Sequence, residues 1–332
     1  MIKTLYKFNA APPKVYSKGD FPKYLPKLNN LYDDLFVNGK YFRSRFVAAI
    51  SKTLFLKKES IDLLSQSIEF IHNASLLHDD LIDKAVLRRG KTTAWKKYGP
   101  ESSVLAGDYL LARVMVNLSQ STSIELVNYT ANTVSDLLEG EWLQDIMEET
   151  QKNQKEIEVD LSLKERDKVA QLKTGVLFSW CLVAPFLLLR PNLDKDIIAS
   201  LKSVGADLGI FFQRGDDLLD FNIRNKEEKS ILTDLQSGVL NSFAIFLIRK
   251  NRELKKDLLK CSTMSEVKSI ISKEVFNQSL KEFDNLNTAK INTYYDKVDD
   301  CIAKVSPLLK VEKKELQAIL RSLPDIFYWR NT

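Results

Sequence analysis

Apolar residues recur at helical spacing along nearly the whole chain, and little interrupts them: 332 residues contain only 9 prolines and 11 glycines. No stretch alternates polar and apolar for long enough to argue a sheet. Helices are expected at 21–36, 40–56, 59–83, 101–119, 122–148, 163–189, 194–223, 232–250, 265–303 (interrupted) and 312–328. Ser162-Leu163-Lys164-Glu165 fits a capping box at one helix start. The polar segment from Glu148 to Asp160 reads as a mobile loop. With no Pro-, Gly- or Ser-rich linker and no short-period repeat, the expectation is one all-α domain over residues 1–332. Its long helices would pack roughly antiparallel around a central cavity.

Bulk properties exclude several classes. Hydrophobic content of 44% with 28% charged residues is ordinary for a soluble globular protein. The formal charge of +5 is mild and spread along the chain, so no nucleic-acid partner is expected. Cys181, Cys261 and Cys301 lie far apart without a C-x-x-C, which fits reduced thiols rather than a disulfide framework or zinc site. His72 and His78 are the only histidines, too few for a multi-histidine metal centre. Met1 to Lys18 has no apolar core of a signal peptide, and the apolar stretch Val176 to Leu189 contains Pro185 and is too short to span a bilayer. A cytoplasmic protein without a transmembrane segment is expected.

The motifs that carry chemistry are two acidic clusters of identical spacing. Asp79-Asp80-Leu81-Ile82-Asp83 and Asp216-Asp217-Leu218-Leu219-Asp220 both read D-D-x-x-D, each within a strongly apolar helical run. Helix residues four apart share a face, so Asp79 aligns with Asp83 and Asp216 with Asp220. Burying such carboxylates costs several kcal/mol each unless something neutralises them. Hard cations such as Mg²⁺ bind oxygen ligands and fill their remaining positions with water and phosphate. Other acidic pairs in the chain lack the pattern: Asp33-Asp34 is followed by Val37 where a third acid would stand, and Asp299-Asp300 has none. The clusters point to metal-assisted departure of a diphosphate.

Basic residues adjoin these clusters. Arg88-Arg89-Gly90-Lys91 follows the first, and Asn38-Gly39-Lys40-Tyr41-Phe42-Arg43 lies upstream, where Gly39 would let the chain turn. Arginine suits bidentate phosphate contacts and lysine acts as a point charge. His72 stands two turns before Asp79 on the same face, and His78, beside Asp79, is a candidate to orient a carboxylate. Lys173-Thr174 sits in an apolar helix, and Gln213 precedes the second cluster by three residues, placed to offer an amide oxygen to a developing carbocation.

From NGKYFR through IEFIHNASLLHDDLIDKAVLRRGKTTAWKKYG, VLAGDYLLAR, EGEWLQ, LKTG and LGIFFQRGDDLLDF to Lys229 and TDL, order and spacing resemble the trans-isoprenyl diphosphate synthases, the head-to-tail prenyltransferases. The similarity covers about residues 35 to 245. It implies an all-α bundle of the isoprenoid synthase type and condensation of isopentenyl diphosphate with an allylic prenyl diphosphate. By that resemblance Asp79, Asp83 and Asp216 would ligate three Mg²⁺ ions, with Asp80, Asp217 and Asp220 ligating directly or through water. Arg88, Lys173 and Lys229 would bind the allylic diphosphate. Lys40, Arg43, His72 and Arg89 would bind isopentenyl diphosphate, and Thr174 and Gln213 would face the allylic cation. A homodimer and a transient membrane-surface contact for product release are also implied.

The chain departs from the family at two points. A lysine common after the second cluster is absent from Gly238-Val239-Leu240-Asn241-Ser242, and Arg214-Gly215 stands where apolar residues are usual. Arg214 would either replace the missing cation or face elsewhere; the second is preferred. Before Asp79, Ala74 and Ser75 stand where short-chain enzymes carry an aromatic floor, and Ile71 is the next candidate stop, followed by Phe70 and Ser67 with Met115 or Leu111. One helical turn, about 5.4 Å, matches about one extended isoprene unit. The pattern is most like the medium- to long-chain polyprenyl enzymes, with a product longer than C15. The alternatives are a geranylgeranyl (C20) enzyme and a non-catalytic subunit of a heteromeric synthase. A class I terpene cyclase is disfavoured, since it has no use for an isopentenyl site.

Overall fold

Leu64, Ile68, Ile71, Ala74 and Leu77 form a single apolar stripe, and the computed structural model winds them into one helix, Lys58–Ile82, with that stripe fully buried. A second helix, Pro100–Ser119, starts at Pro100 after Gly99 turns the chain at φ 97°. Its stripe of Ala106, Leu110, Val114 and Leu118 is equally buried, and the two helices pack along their lengths. Gly107 lets His78 lie flat on this second helix; a Cβ there would come within 2.3 Å of the ring Nε2. The Ser103 hydroxyl donates to the Leu77 carbonyl at 2.9 Å, and Tyr32 donates to the Ala106 carbonyl at 2.9 Å.

The structure describes residues 15–16, 21–36, 39, 41–88, 90–121, 123–153, 159–223, 231–307 and 312–329. The chain folds as two compact units. One comprises Met1–Val134, Trp180–Ile198 and Ser306–Leu316, and holds the two helices above with Pro26–Phe36 and Phe42–Thr53. The other comprises Ser135–Ser179, Ala199–Val305 and Gln317–Thr332. Its core is built on the helix Lys195–Asp220 and the 33-residue helix Lys273–Val305, whose Phe283, Ile291, Tyr294 and Val298 are buried.

Several expectations change. The helix expected at 232–250 is split into Thr233–Gln236 and Ser242–Leu247, because Gly238 takes φ 79° and the Asn241 side chain caps the second piece by accepting from Ala244 N at 3.0 Å. The segment Glu148–Asp160 is helical up to Asn153 and again from Val159. Ser162 therefore lies inside a helix, and the capping box that forms is Thr263 with Glu266. Among the described residues the strands are a single small hairpin, Leu87–Arg88 with Lys91–Thr92.

The helix Val159–Ala170 runs through a π-turn, Gln171–Gly175, into Val176–Leu189. Ser162–Leu189 is thus long and apolar enough to cross a membrane by length and composition, which corrects the expectation that it is too short. Within the structure 72% of its most apolar window is buried. Phe178, Trp180, Leu182 and Phe186 are wholly inside, so its apolarity is used by the core.

Candidate active site

The first cluster ends its helix. Asp83 is the last helical partner, its N–H donating to the Asp79 carbonyl at 2.8 Å, and Lys84 then turns the chain at φ 53°. The hairpin that follows reverses at Gly90, φ 74°, and brings Arg88 back over the cluster. There Arg88 Nε donates to Asp80 Oδ1 at 2.7 Å. Asp80 is buried, and desolvation raises its pKa against the lowering effect of Arg88. Asp79 is half-buried and Asp83 exposed. Two carboxylates of the triplet are thus presented at the surface, and the middle one is tied to an arginine.

The second cluster divides in the same way. Asp216 is exposed, whereas Asp217 and Asp220 are buried and tied down. Asp217 accepts from Ser242 N at 2.9 Å and from Gln213 Nε2 at 2.9 Å, with a further bond from the Ser242 hydroxyl. Asp220 accepts from Thr233 N and Oγ1, both at 2.8 Å, and from Asp234 N at 3.3 Å. Each of these carboxylates satisfies the opening N–H groups of a short helix, Ser242–Leu247 for Asp217 and Thr233–Gln236 for Asp220. Asp234 is held by Asn241 Nδ2 at 3.0 Å. Burial, together with the charges of Asp217 and Asp220, pushes its pKa up to about 7.

Lys173 and Thr174 lie on the π-turn, a deformation that frequently marks functional sites. The turn is held by close backbone contact with Lys195–Asp220: a Cβ at Gly209 would fall 2.3 Å from Gly175 N, and one at Gly205 2.4 Å from Ser179. The Lys173 ammonium donates to Glu141 Oε2 at 2.7 Å and Gln144 Oε1 at 2.8 Å, which gives the EGEWLQ segment its part in the site. Thr174 is buried. Gln213 turns its amide nitrogen to Asp217, a bond that does not use its carbonyl oxygen.

Arg43 and His72, 29 residues apart, meet at 3.2 Å between Nη1 and Nε2. A guanidinium has no acceptor, so His72 Nε2 accepts and its proton resides on Nδ1. The turn before Arg43 is made by Tyr41 at φ 50°, not by Gly39 as expected. Lys40, Arg89 and Lys229 lie outside the described residues. Ala74 and Ile71 are fully buried, and Ser75 is half-buried with its hydroxyl on the His72 carbonyl. Below them Phe70 lies 5.9 Å from Phe21 and 5.7 Å from Phe36 between ring centroids, an aromatic wall.

Two expectations are corrected or resolved. His78 does not orient Asp79; it points to the Val104 carbonyl at 3.3 Å and Asp108 at 3.4 Å. Adjacent helix residues diverge by about 100°, so the sequence already held this signal. Arg214 faces away from the acidic cluster: it makes a bidentate pair with Asp167 at 2.8 and 2.9 Å and donates to Asn287 at 2.8 Å. The cation among the second cluster's carboxylates is Arg166, which sequence reasoning missed. Burial lowers its pKa, opposed by Asp217, Glu148 and Asp234.

Among the described residues no three His, Cys, Asp or Glu side chains gather into a ready-made metal site. The donor set nevertheless fits a hard cation: Asp79, Asp83 and Asp216 offer oxygens at the surface, and the negative charge crowded around Asp217, Asp220 and Asp234 favours a nearby cation. A family model described as polyprenyl synthetase matches residues 25–278. The chain belongs to that family. It is a prenyltransferase by membership. A prenyl transferase of Cyanophora paradoxa is 32% identical over 235 residues, 69% of each chain. A decaprenyl-diphosphate synthase of Dictyostelium discoideum is 28% identical over 320 residues, 95% of this chain and 65% of that one. The crystal structure of a Caulobacter crescentus polyprenyl synthase, complexed with calcium and isoprenyl diphosphate, superposes with a TM-score of 0.71 at 22% identity, covering 100% of this chain and 95% of the other. That likeness establishes the all-α isoprenoid synthase fold.

Proposed function

We propose that this chain, as one domain of residues 1–332, condenses isopentenyl diphosphate head-to-tail with an allylic prenyl diphosphate and makes a polyprenyl diphosphate longer than C15, a quinone side-chain precursor. The observation that carries the reading is the matched division of the two acidic triplets into presented and tied carboxylates. Asp79, Asp83 and Asp216 would hold three Mg²⁺ ions, with Asp80, Asp217 and Asp220 behind them. Bound Mg²⁺ supplies charge stabilisation for the departing diphosphate. Arg88 and Lys173 bind that diphosphate, and Lys173 does so by giving up Glu141. Arg43 and neutral His72 bind isopentenyl diphosphate together with Lys40 and Arg89, while Lys229 adds to the allylic side. Thr174 and Gln213 direct oxygens at the cation, and apolar walls keep water from it.

Product length follows from the helix Lys58–Ile82. Small Ala74 and Ser75 leave the first level open, and Phe70 stands nine residues before Asp79, about 13.5 Å along the axis. The aromatic wall of Phe70, Phe21 and Phe36 also favours a second reading, in which growth ends at C20. Relatives named as decaprenyl and hexaprenyl synthases support the longer product. Purified protein with Mg²⁺, labelled isopentenyl diphosphate and C5 to C20 primers decides between them by product chromatography. Products ending at C15, or no condensation at all, overturn the proposal.

A homodimer is part of this reading, supported by Leu138, Trp142 and Ile146, which are exposed at four-residue spacing on the helix Ile124–Asn153. Trp142→Glu should then give a monomer in sedimentation; an unchanged dimer would remove that stripe from the interface. A cytoplasmic location is supported by Cys181, Cys261 and Cys301, all buried free thiols. Release of so apolar a product calls for a brief contact with a membrane surface.

A further inference from the structure

Phe55 stands in the turn between the helices Phe42–Thr53 and Lys58–Ile82. It takes φ 55°, in the left-handed region where glycine or asparagine is the usual choice, and its side chain is 66% exposed. A phenylalanine here is unfavourable twice, in backbone conformation and in hydration, so folding gives no reason for it. Lys52, Lys57 and Lys58, all exposed, surround it. Exposed Lys313 and Lys314 stand alongside, because the Glu312 N–H donates to the Thr53 carbonyl at 3.2 Å. None of the five lysines makes an ion pair among the described residues. Lys57, Lys58, Lys313 and Lys314 cluster at helix N-termini, where the helix dipole opposes positive charge. Glu59, Glu312 and Glu315 are the acids in the same stretches, so five cations face three anions around one protruding aromatic ring.

We propose that this turn is a docking surface for an anionic lipid bilayer, with Phe55 inserted among the headgroups and the five lysines facing anionic lipid. An aromatic ring flanked by cations matches such a surface in both polarity and charge. The turn lies at the opposite end of the helix Lys58–Ile82 from Asp79, about 32 Å along its axis. The protein can therefore rest on a membrane while the diphosphate-binding end stays in water. The proposed long-chain product supplies the purpose of this contact, so the inference rests on the proposed function, but its test uses no substrate.

The full chain is floated with vesicles of phosphatidylcholine alone and of phosphatidylcholine mixed with phosphatidylglycerol. Wild type should bind the mixed vesicles and release them in high salt. Phe55→Gly suits the positive φ, so it should keep or raise thermal stability while cutting vesicle binding about fivefold or more. Lys57→Glu with Lys58→Glu should cut it about tenfold or more. Condensation of a soluble primer should be unchanged in Phe55→Gly. Equal binding to both vesicles, equal binding by Phe55→Gly, or no binding by wild type overturns the docking surface. A changed sedimentation coefficient in Phe55→Gly would make the turn a self-interface and likewise overturn it. Loss of condensation in a wild type that still binds vesicles would count against the proposed function alone.

Discussion

The two D-D-x-x-D helices neutralise their buried carboxylates by different means. At the first, Asp80 is matched by a full cation, Arg88, delivered by a hairpin. At the second, Asp217 and Asp220 are matched mainly by N–H and hydroxyl groups at the start of two short helices, with Asp234 adding a third buried acid. Identical spacing thus supports two kinds of setting. The first is an ion-paired rim that tolerates change in its presented acids. The second is a scaffold whose carboxylates also hold the chain from Leu232 to Leu247 in place.

This contrast can be broken experimentally. Asp79→Ala should lower condensation by about a thousandfold or more while leaving the melting temperature nearly unchanged, since the half-buried Asp79 is proposed to serve metal rather than fold. Near-normal turnover would mean the metal assignment is wrong. Asp220→Ala should behave in the opposite way before any substrate is added. Losing the acceptor for three bonds at a buried helix start should destabilise the metal-free protein by about 2–3 kcal/mol, read by denaturant midpoint. An unchanged midpoint would reduce Asp220 to a metal ligand like Asp79.

Ala74→Phe tests the first helix further up. A ring at this fully buried position should shorten the product distribution by about one isoprene unit or more, seen by chain-length chromatography. Unchanged products would move the floor elsewhere. The smallest effect concerns the second site's crowded charge. The native pKa of Asp234 is raised to about 7 from 3.8, so its folded form holds a proton that the unfolded chain releases. Its stability contribution therefore falls as pH rises between those values. In metal-free protein, Asp234→Asn should raise the melting temperature at pH 8 and lose most of that gain near pH 5. A gain independent of pH would show that charge is not the cause.

Much of this is legible in the chain. The helix Lys58–Ile82 is expected at 59–83, because an uninterrupted apolar stripe leaves no competing period. Asp79, Asp83 and Asp216 are separable from their tied neighbours only in principle, since adjacent helix positions differ by about 100° and the sequence does not say which side is solvent. Other features depend on distant partners. Nothing local to Arg88 says that it will pair with Asp80, and the company kept by Arg214 comes from residues 47 and 73 positions away. The break inside 232–250 is signalled by Gly238 and Asn241 but outweighed by the apolar run Phe243–Ile248. The π-turn leaves no trace in periodicity, because one extra residue shifts an apolar stripe too little to notice where every face is apolar.

That extra residue makes the segment a phase marker. An α-helix advances about 100° per residue, so excising any one position from Gln171–Gly175 would leave a shorter, regular helix whose downstream half is rotated by that angle. Gly175 would leave the backbone of Gly209, and Trp180 would lose its hydrogen bond to Thr130. Substitutions within the five residues are graded changes, whereas a one-residue deletion is a change of gear, and the chain is far less tolerant of the second than of the first.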